Sequence, residues 1–225
     1  MLHKTKGIVL NYIKYSDTSI IAKIYTEAFG LQSYIVNGVR SSKSNNKIAL
    51  FQPLTLLDMV VYHKNNHGGL QRISEMRCAE PYFAIPFDIH KTSISIFLSE
   101  ILIKTLKEEM GNQELFDFLF HSFHALDKVE KNVLNFHVSF MLRYSFYLGF
   151  FPTEVKSIWE NSLYKPSVEI IQYIENCMTY TYFESFASTN VNRREALDIL
   201  IAFYKNQIES FGELHSISIL REVLE

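Results

Sequence analysis

The apolar positions change period once along the chain. From Gly7 to Arg77 they fall in short runs rich in Val, Ile and Tyr, and from Ile94 onward they recur at i, i+3, i+4 and i+7. The first pattern is that of strands, the second that of helices packing one face. Five strands are expected, over Gly7–Tyr15, Ser19–Thr26, Leu31–Val39, Phe51–His63 and Leu70–Arg77. Ser16-Asp17-Thr18 supplies a first turn, and Gly30 closes a second because it tolerates positive φ. Pro53 marks an edge or a strand start, and Lys64–Gly69 is a strong turn signal. Five short strands with no intervening helical period predict a small closed or partly closed barrel.

Pro81 and Pro86 flank an irregular connector, after which helices take over. The first runs through Ile94, Phe97, Leu98, Ile101, Leu102 and Leu106 to a stop at Gly111, and Asn112 is placed to cap the next, through Leu115, Leu119 and Phe123. A third is expected over Glu130–Leu148, stopped by Gly149 and Pro152, with shorter pieces at Thr153–Trp159 and Val168–Asn176. Arg193–Ser210 and Ser216–Leu224 close the set. The expected fold class is therefore α+β and multidomain: a five-stranded barrel of the OB type over 1–80, then an all-α domain over 81–225.

Composition alters this picture little. An apolar fraction of 48% with 20% charged residues is that of a globular chain. No apolar run approaches the ~18 residues that span a bilayer, and the first residues do not read as a signal peptide. Cys78 and Cys177 form no metal or redox spacing, which favours the cytoplasm. Charge matters more. Residues 1–80 hold ten Lys/Arg against five Asp/Glu, and the remainder twelve against nineteen. The first part favours an anionic partner and the second does not.

Arg40–Lys47 carries three cations, no acid and no large apolar side chain, so a basic loop between strands is expected there. Lys14, Lys23, Arg40, Lys43 and Lys47 fall on or beside strands of one barrel, with Tyr12, Tyr15, Tyr25 and Tyr34 among them. Cations track phosphates while rings stack on bases, the combination single-stranded nucleic acid requires. Buried tyrosines would look the same in sequence. The expected contacts are Arg40, Lys43 and Lys47 first, Lys14 and Lys23 beside them, and Tyr34 as a stacking ring. No phosphate-cradling glycine motif, nucleophile elbow or paired-carboxylate signature stands out, so no enzyme is expected. His63 with His67, and His121 with His124, lack identifiable third and fourth ligands. Neither a metal nor a cofactor is expected.

Several segments together resemble the bacterial RecO family. They are Lys6-Gly-Ile-Val-Leu10, Tyr15-Ser-Asp-Thr-Ser-Ile-Ile21, Tyr25-Thr-Glu-Ala-Phe-Gly30, Gly38-Val-Arg-Ser-Ser-Lys43, Gln52-Pro-Leu54 and Gly69-Leu-Gln-Arg-Ile-Ser-Glu75. In the helical part the resemblance continues through Met141-Leu-Arg-Tyr-Ser-Phe-Tyr-Leu-Gly-Phe-Phe-Pro152 and Ser216-Ile-Ser-Ile-Leu-Arg-Glu-Val-Leu224. It implies an OB-fold followed by a helical domain, acting without ATP in recombinational repair at the bacterial nucleoid. It also implies binding of single- and double-stranded DNA, strand annealing, and work with RecR to load recombinase onto DNA coated by single-strand-binding protein. The helical domain would hold the acidic C-terminal tail of that coating protein. A tail ending in a carboxylate asks for a cation beside an apolar pocket, for which Arg143, Arg193 and Arg194 are the candidates; Arg143 could instead tie helix ends together. Many members carry a four-cysteine zinc module after the Leu-Gly-x-x-Pro segment. Here Thr153-Glu-Val-Lys-Ser-Ile-Trp-Glu160 contains no cysteine, so that module is not expected. A rival reading is an adaptor whose barrel binds a protein and touches DNA weakly.

Overall fold

The computed structural model describes residues 1–41, 47–63, 69–107, 111–160 and 164–224. Five strands form a closed barrel in the order β1-β2-β3-β5-β4: β1 (Leu2–Lys14), β2 (Ile20–Thr26), β3 (Gly30–Val36), β4 (Leu56–Tyr62) and β5 (Gln71–Cys78). All ladders are antiparallel except β3 with β5, which pairs Tyr34 with Gln71 and Ile35 with Arg72 in parallel. This is the OB-type barrel expected from the sequence.

Closure depends on β1. Its first half pairs with β4 from Leu2↔Tyr62 to Ile8↔Leu56, and its second half pairs with β2 from Gly7↔Thr26 to Lys14↔Ile20. A bulge between Val9 and Asn11 bends the strand from one ladder to the other. Inward positions Val9, Ala22, Ile24, Tyr34, Leu57 and Met59 build the barrel core. Gly30 has φ 64°, the left-handed conformation that the β2–β3 turn requires.

Two expectations needed correction. The strand expected from Phe51 begins only at Leu56, because Lys47–Phe51 is a 3-10 turn. That turn sets the buried Phe51 against the barrel core, with Ile48 and Leu50 packed beside it. Its apolar residues therefore plug the barrel rather than pair in a ladder. β3 likewise ends at Val36, since Asn37 and Gly38 already belong to the following turn and Gly38 has φ 71°.

Six α-helices follow: α1 (Ile89–Thr105), α2 (Gln113–Lys128), α3 (Phe136–Tyr147), α4 (Val168–Thr179), α5 (Asn190–Gln207) and α6 (Ile217–Val223). Asp88 Oδ1 accepts the backbone N–H groups of His90 and Lys91, so α1 begins five residues before its apolar stripe at Ile94. Asn112 Oδ1 accepts the N–H of Leu115 at 3.0 Å and starts α2 as expected. Thr189 and Asn192 form a capping box at the start of α5.

The chain separates into two compact units, one of residues 1–83 with 99–123 and the other of 84–98 with 124–225. In the first, Ser99 Oγ donates to the Leu10 carbonyl and the Phe116 ring stacks on Tyr25, with centroids 6.2 Å apart. In the second, Tyr204 Oη donates to the Met141 carbonyl at 2.7 Å, and Phe140 and Tyr144 stack along α3.

Candidate nucleic-acid interface

Alternation along β2 divides its side chains cleanly. Ile20, Ala22 and Ile24 enter the core, while Ile21 and Lys23 face outward. Across the ladders Lys23 lies between Asn11 of β1 and Ser33 of β3. The neighbouring row is Ile13, Ile21, Ile35 and Arg72, with Ile13 60% exposed. Lys14 ends β1 opposite Ile20, and Ile20 pairs with Val36. Lys14 therefore stands at the barrel end where β3 also leaves the sheet.

Arg40 is held at the same end. Its backbone N–H donates to the Thr18 carbonyl at 3.0 Å and its Nη1 to the Ser16 carbonyl at 3.1 Å. Ser19 Oγ adds a bond to Asn37 Oδ1 at 3.0 Å. The segment leaving β3 is thus stitched to the β1–β2 turn, so an exposed Arg40 is fixed near Lys14 by main-chain geometry. Lys47 is exposed at the start of the 3-10 plug, and Lys43 lies outside the described residues.

Over residues 11–25 and 33–41 the one acid is Asp17, in the β1–β2 turn. Among the described residues none of Lys14, Lys23, Arg40 and Lys47 is held in an ion pair. A phosphate approaching them displaces counterions rather than a protein carboxylate, which favours binding.

The opposite sector contrasts with this. Lys4, Lys6 and Arg77 line a groove of about 560 Å³ together with Glu27, Asp58 and Glu75. Lys6, Asp58 and Arg77 are cross-strand neighbours, and Arg77 Nη2 lies 2.8 Å from Asp58 Oδ2. Three cations against three acids leave this groove without a net attraction for a polyanion.

Tyr34 does not belong to the interface. It is fully buried inside the barrel, and burial pushes its hydroxyl pKa well up, so its ring is not presented to a base. Tyr25 is also covered and Tyr12 packs against the core, leaving Tyr15 as the exposed ring of the four, at 57%. Sequence reasoning missed Arg72, which joins the wall only through the parallel β3–β5 pairing. No local pattern announces that pairing.

In the helical unit the three expected arginines have different surroundings. Arg143 Nη1 donates to the carbonyls of Ser139 (3.1 Å) and Cys177 (3.3 Å), its Nη2 donates to the Tyr180 carbonyl, and its guanidinium sits 4.7 Å over the Tyr182 ring. It satisfies the last carbonyls of α4 and ties that helix to α3. The tie, not a partner's carboxylate, accounts for this residue. Arg193 is 8% exposed, with Nη1 on Ser188 and Nη2 on Asn190 Oδ1. Arg194 is exposed beside it. Both line a small cavity with Arg221, His137 and the apolar Leu197, Leu220 and Leu224. Arg221, unforeseen from sequence, is brought there by α6.

Among the described residues no group of three or more His, Cys, Asp or Glu could hold a metal ion, and no helix is long and apolar enough to cross a membrane. His67, one of the histidines paired in the sequence, lies outside the described residues.

A closed five-stranded OB-type barrel followed by six helices defines the two-part fold class of this chain. Residues 1–82 match the family model "Recombination protein O N terminal" and residues 86–161 match "Recombination protein O C terminal". The chain is 36% identical to the DNA repair protein RecO of Flavobacterium psychrophilum, with 98% of each chain covered. It is 33% identical to that of Bacteroides fragilis over all of both chains, and 34% identical to that of Flavobacterium johnsoniae over 98% of each. The chain belongs to the recombination protein O family.

Proposed function

We propose that this protein is a non-catalytic mediator of DNA repair and recombination, working in the cytoplasm at the nucleoid. The observation that carries the reading is the β1–β2–β3 wall, where Lys14, Lys23 and Arg40 stand free of ion pairs among the described residues. Lys47 and Lys43 would extend the same phosphate path. Tyr15 and the exposed Ile13 supply rings and apolar surface against which bases can rest. Neutralising two strands on one protein lowers the repulsion that opposes their annealing, and the same contacts serve single- and double-stranded DNA. In this reading the helical domain handles proteins: a RecR-type mediator, and the acidic tail of single-strand-binding protein, for which the exposed Arg194 beside Leu197 is the remaining candidate.

The adaptor reading draws on one feature, the partly exposed row Ile13, Ile21 and Ile35, which would equally suit a protein partner. A salt titration of binding to a labelled single strand separates the two. Roughly four phosphate contacts give a log–log slope near −3. Replacing Lys14, Lys23 and Arg40 together by Ala should lower that slope by about 2 and weaken all sequences alike. A flat salt response in the unaltered protein, or unchanged affinity in the triple variant, would remove the DNA reading of this wall.

A further inference from the structure

The cavity between α3, α5 and α6 carries more hydrogen-bonding capacity than the protein uses. It measures about 20 Å³ and is lined by His137, Arg193, Arg221, Leu197, Leu220 and Leu224, with Asn190 and Arg194 completing the wall. Three of its nitrogens are buried with no partner: Nδ1 of His137, Nε of Arg193 and Nε of Arg221. His137 is 1% exposed and Arg193 8%, so water at the surface does not satisfy them. Buried polar groups are almost always paired, so three unpartnered nitrogens on one cavity point to a ligand that accepts hydrogen bonds.

Charge and size narrow the occupant. Arg193 keeps both Nη groups on protein oxygens, at Ser188 and Asn190, and Arg221 places Nη2 on Asp198, while the buried Nε–H of each is left to be filled. Burial and the neighbouring Arg193 hold the His137 imidazole at about pKa 3, hence neutral, so one tautomer offers a third N–H. The guanidiniums of Arg193, Arg194 and Arg221 against the Asp198 carboxylate leave a positive site, and N–H groups can only donate. A space of this size holds one water or one halide, and too little for a bulkier oxyanion.

We propose that this cavity is a binding site for a single monovalent anion of halide size, held by Nε–H of Arg193 and Arg221 and Nδ1–H of His137. The site does not depend on the DNA reading. The ion neutralises the guanidinium pair and joins the first turn of α5 and the last turn of α6 to α3.

Crystals of the full chain grown in sodium bromide test it directly. The expected result is a bromide anomalous peak within hydrogen-bonding distance of the three nitrogens. In solution the thermal midpoint should rise saturably with bromide or chloride over gluconate at equal ionic strength. Arg221→Lys, which keeps the charge but lacks Nε–H, should abolish that difference. A cavity without an anomalous peak, whether dry or holding water, overturns the proposal. So does identical stability in halide and gluconate. If the variant fails to fold, the anomalous map of the unaltered protein still decides.

Discussion

At position 111 the backbone leaves no room for a side chain. A Cβ there would lie 2.0 Å from the Glu27 carbonyl oxygen and 2.7 Å from the Ala28 carbonyl carbon. Main-chain atoms cannot step aside as a flexible side chain can, so Gly111→Ala should cost about 1–3 kcal/mol of stability, measured as a lowered urea midpoint. Sequence reading took Gly111 for a helix stop. Its requirement comes from the β2–β3 turn passing beneath it, a contact between residues far apart in the chain. His137 is the second residue whose environment dictates behaviour. Its imidazole is held near pKa 3 by burial and by Arg193, against 6.5 for the free group. Between those values the unfolded chain binds a proton that the folded one refuses, so stability falls as pH drops through the window. The slope should be up to about 1.4 kcal/mol per pH unit below 6.5. Comparing urea midpoints at pH 7 and pH 5 for the native chain and His137→Leu isolates this contribution, because the variant should lose that part of the slope.

Elements were legible where one face of the chain is apolar and the ends carry capping chemistry. α2 is the clear case, with Asn112 at its start and the buried Leu115, Leu119 and Phe123 along one side. The start of α1 was hidden because polar residues there are buried. Lys91 Nζ donates to the Asp127 carbonyl at 2.6 Å, and Ser93 and Ser95 bond back to His90 and Thr92, so His90–Ser93 does not look helical in sequence. β3 was found but not oriented. Leu31 and Ile35 on one parity compete with Tyr34 and Val36 on the other, and only closure of the barrel turns Tyr34 inward. That is why the pattern leaves the orientation of Tyr34 open, while the better-alternating β2 turns Lys23 outward. The helix tie at Arg143 gives an element-scale prediction. Arg143→Met should leave the Cys177 and Tyr180 carbonyls unpaired and cost about 1–3 kcal/mol. Amide exchange in the last turn of α4 should speed up, with DNA affinity unchanged.

On the scale of the whole molecule, what matters is how charge is distributed over the barrel rather than its sum. Residues 1–80 are cationic, yet three of their ten Lys/Arg are matched by acids in the groove formed by Lys4, Lys6 and Arg77 with Glu27, Asp58 and Glu75. The β1–β2–β3 wall has only Asp17 as a counterweight. Lys4→Ala with Lys6→Ala should therefore leave affinity for a labelled single strand within about twofold, while Lys14→Ala with Lys23→Ala weakens it and lowers the salt slope by roughly 1.4. Equal losses from both pairs, measured by fluorescence anisotropy, would mean that polyanion binding spreads around the barrel. Sequence could count these cations but not sort them. The sorting comes from the pairing of Lys6 with Asp58 and of Asp58 with Arg77, across strands far apart in the chain.

The double pairing of β1 also bears on how the protein is made. Its second half meets β2 across a short hairpin, but its first half must wait for β4, whose partner residues extend to Tyr62. During synthesis the first half of β1 therefore keeps an unpaired edge until some fifty further residues have been added. Such an edge invites pairing with other chains. Sealing of the barrel, rather than formation of any hairpin, should set the pace of productive folding, and a chaperone that shields nascent strands should raise the yield of this chain more than that of a helical protein of equal length.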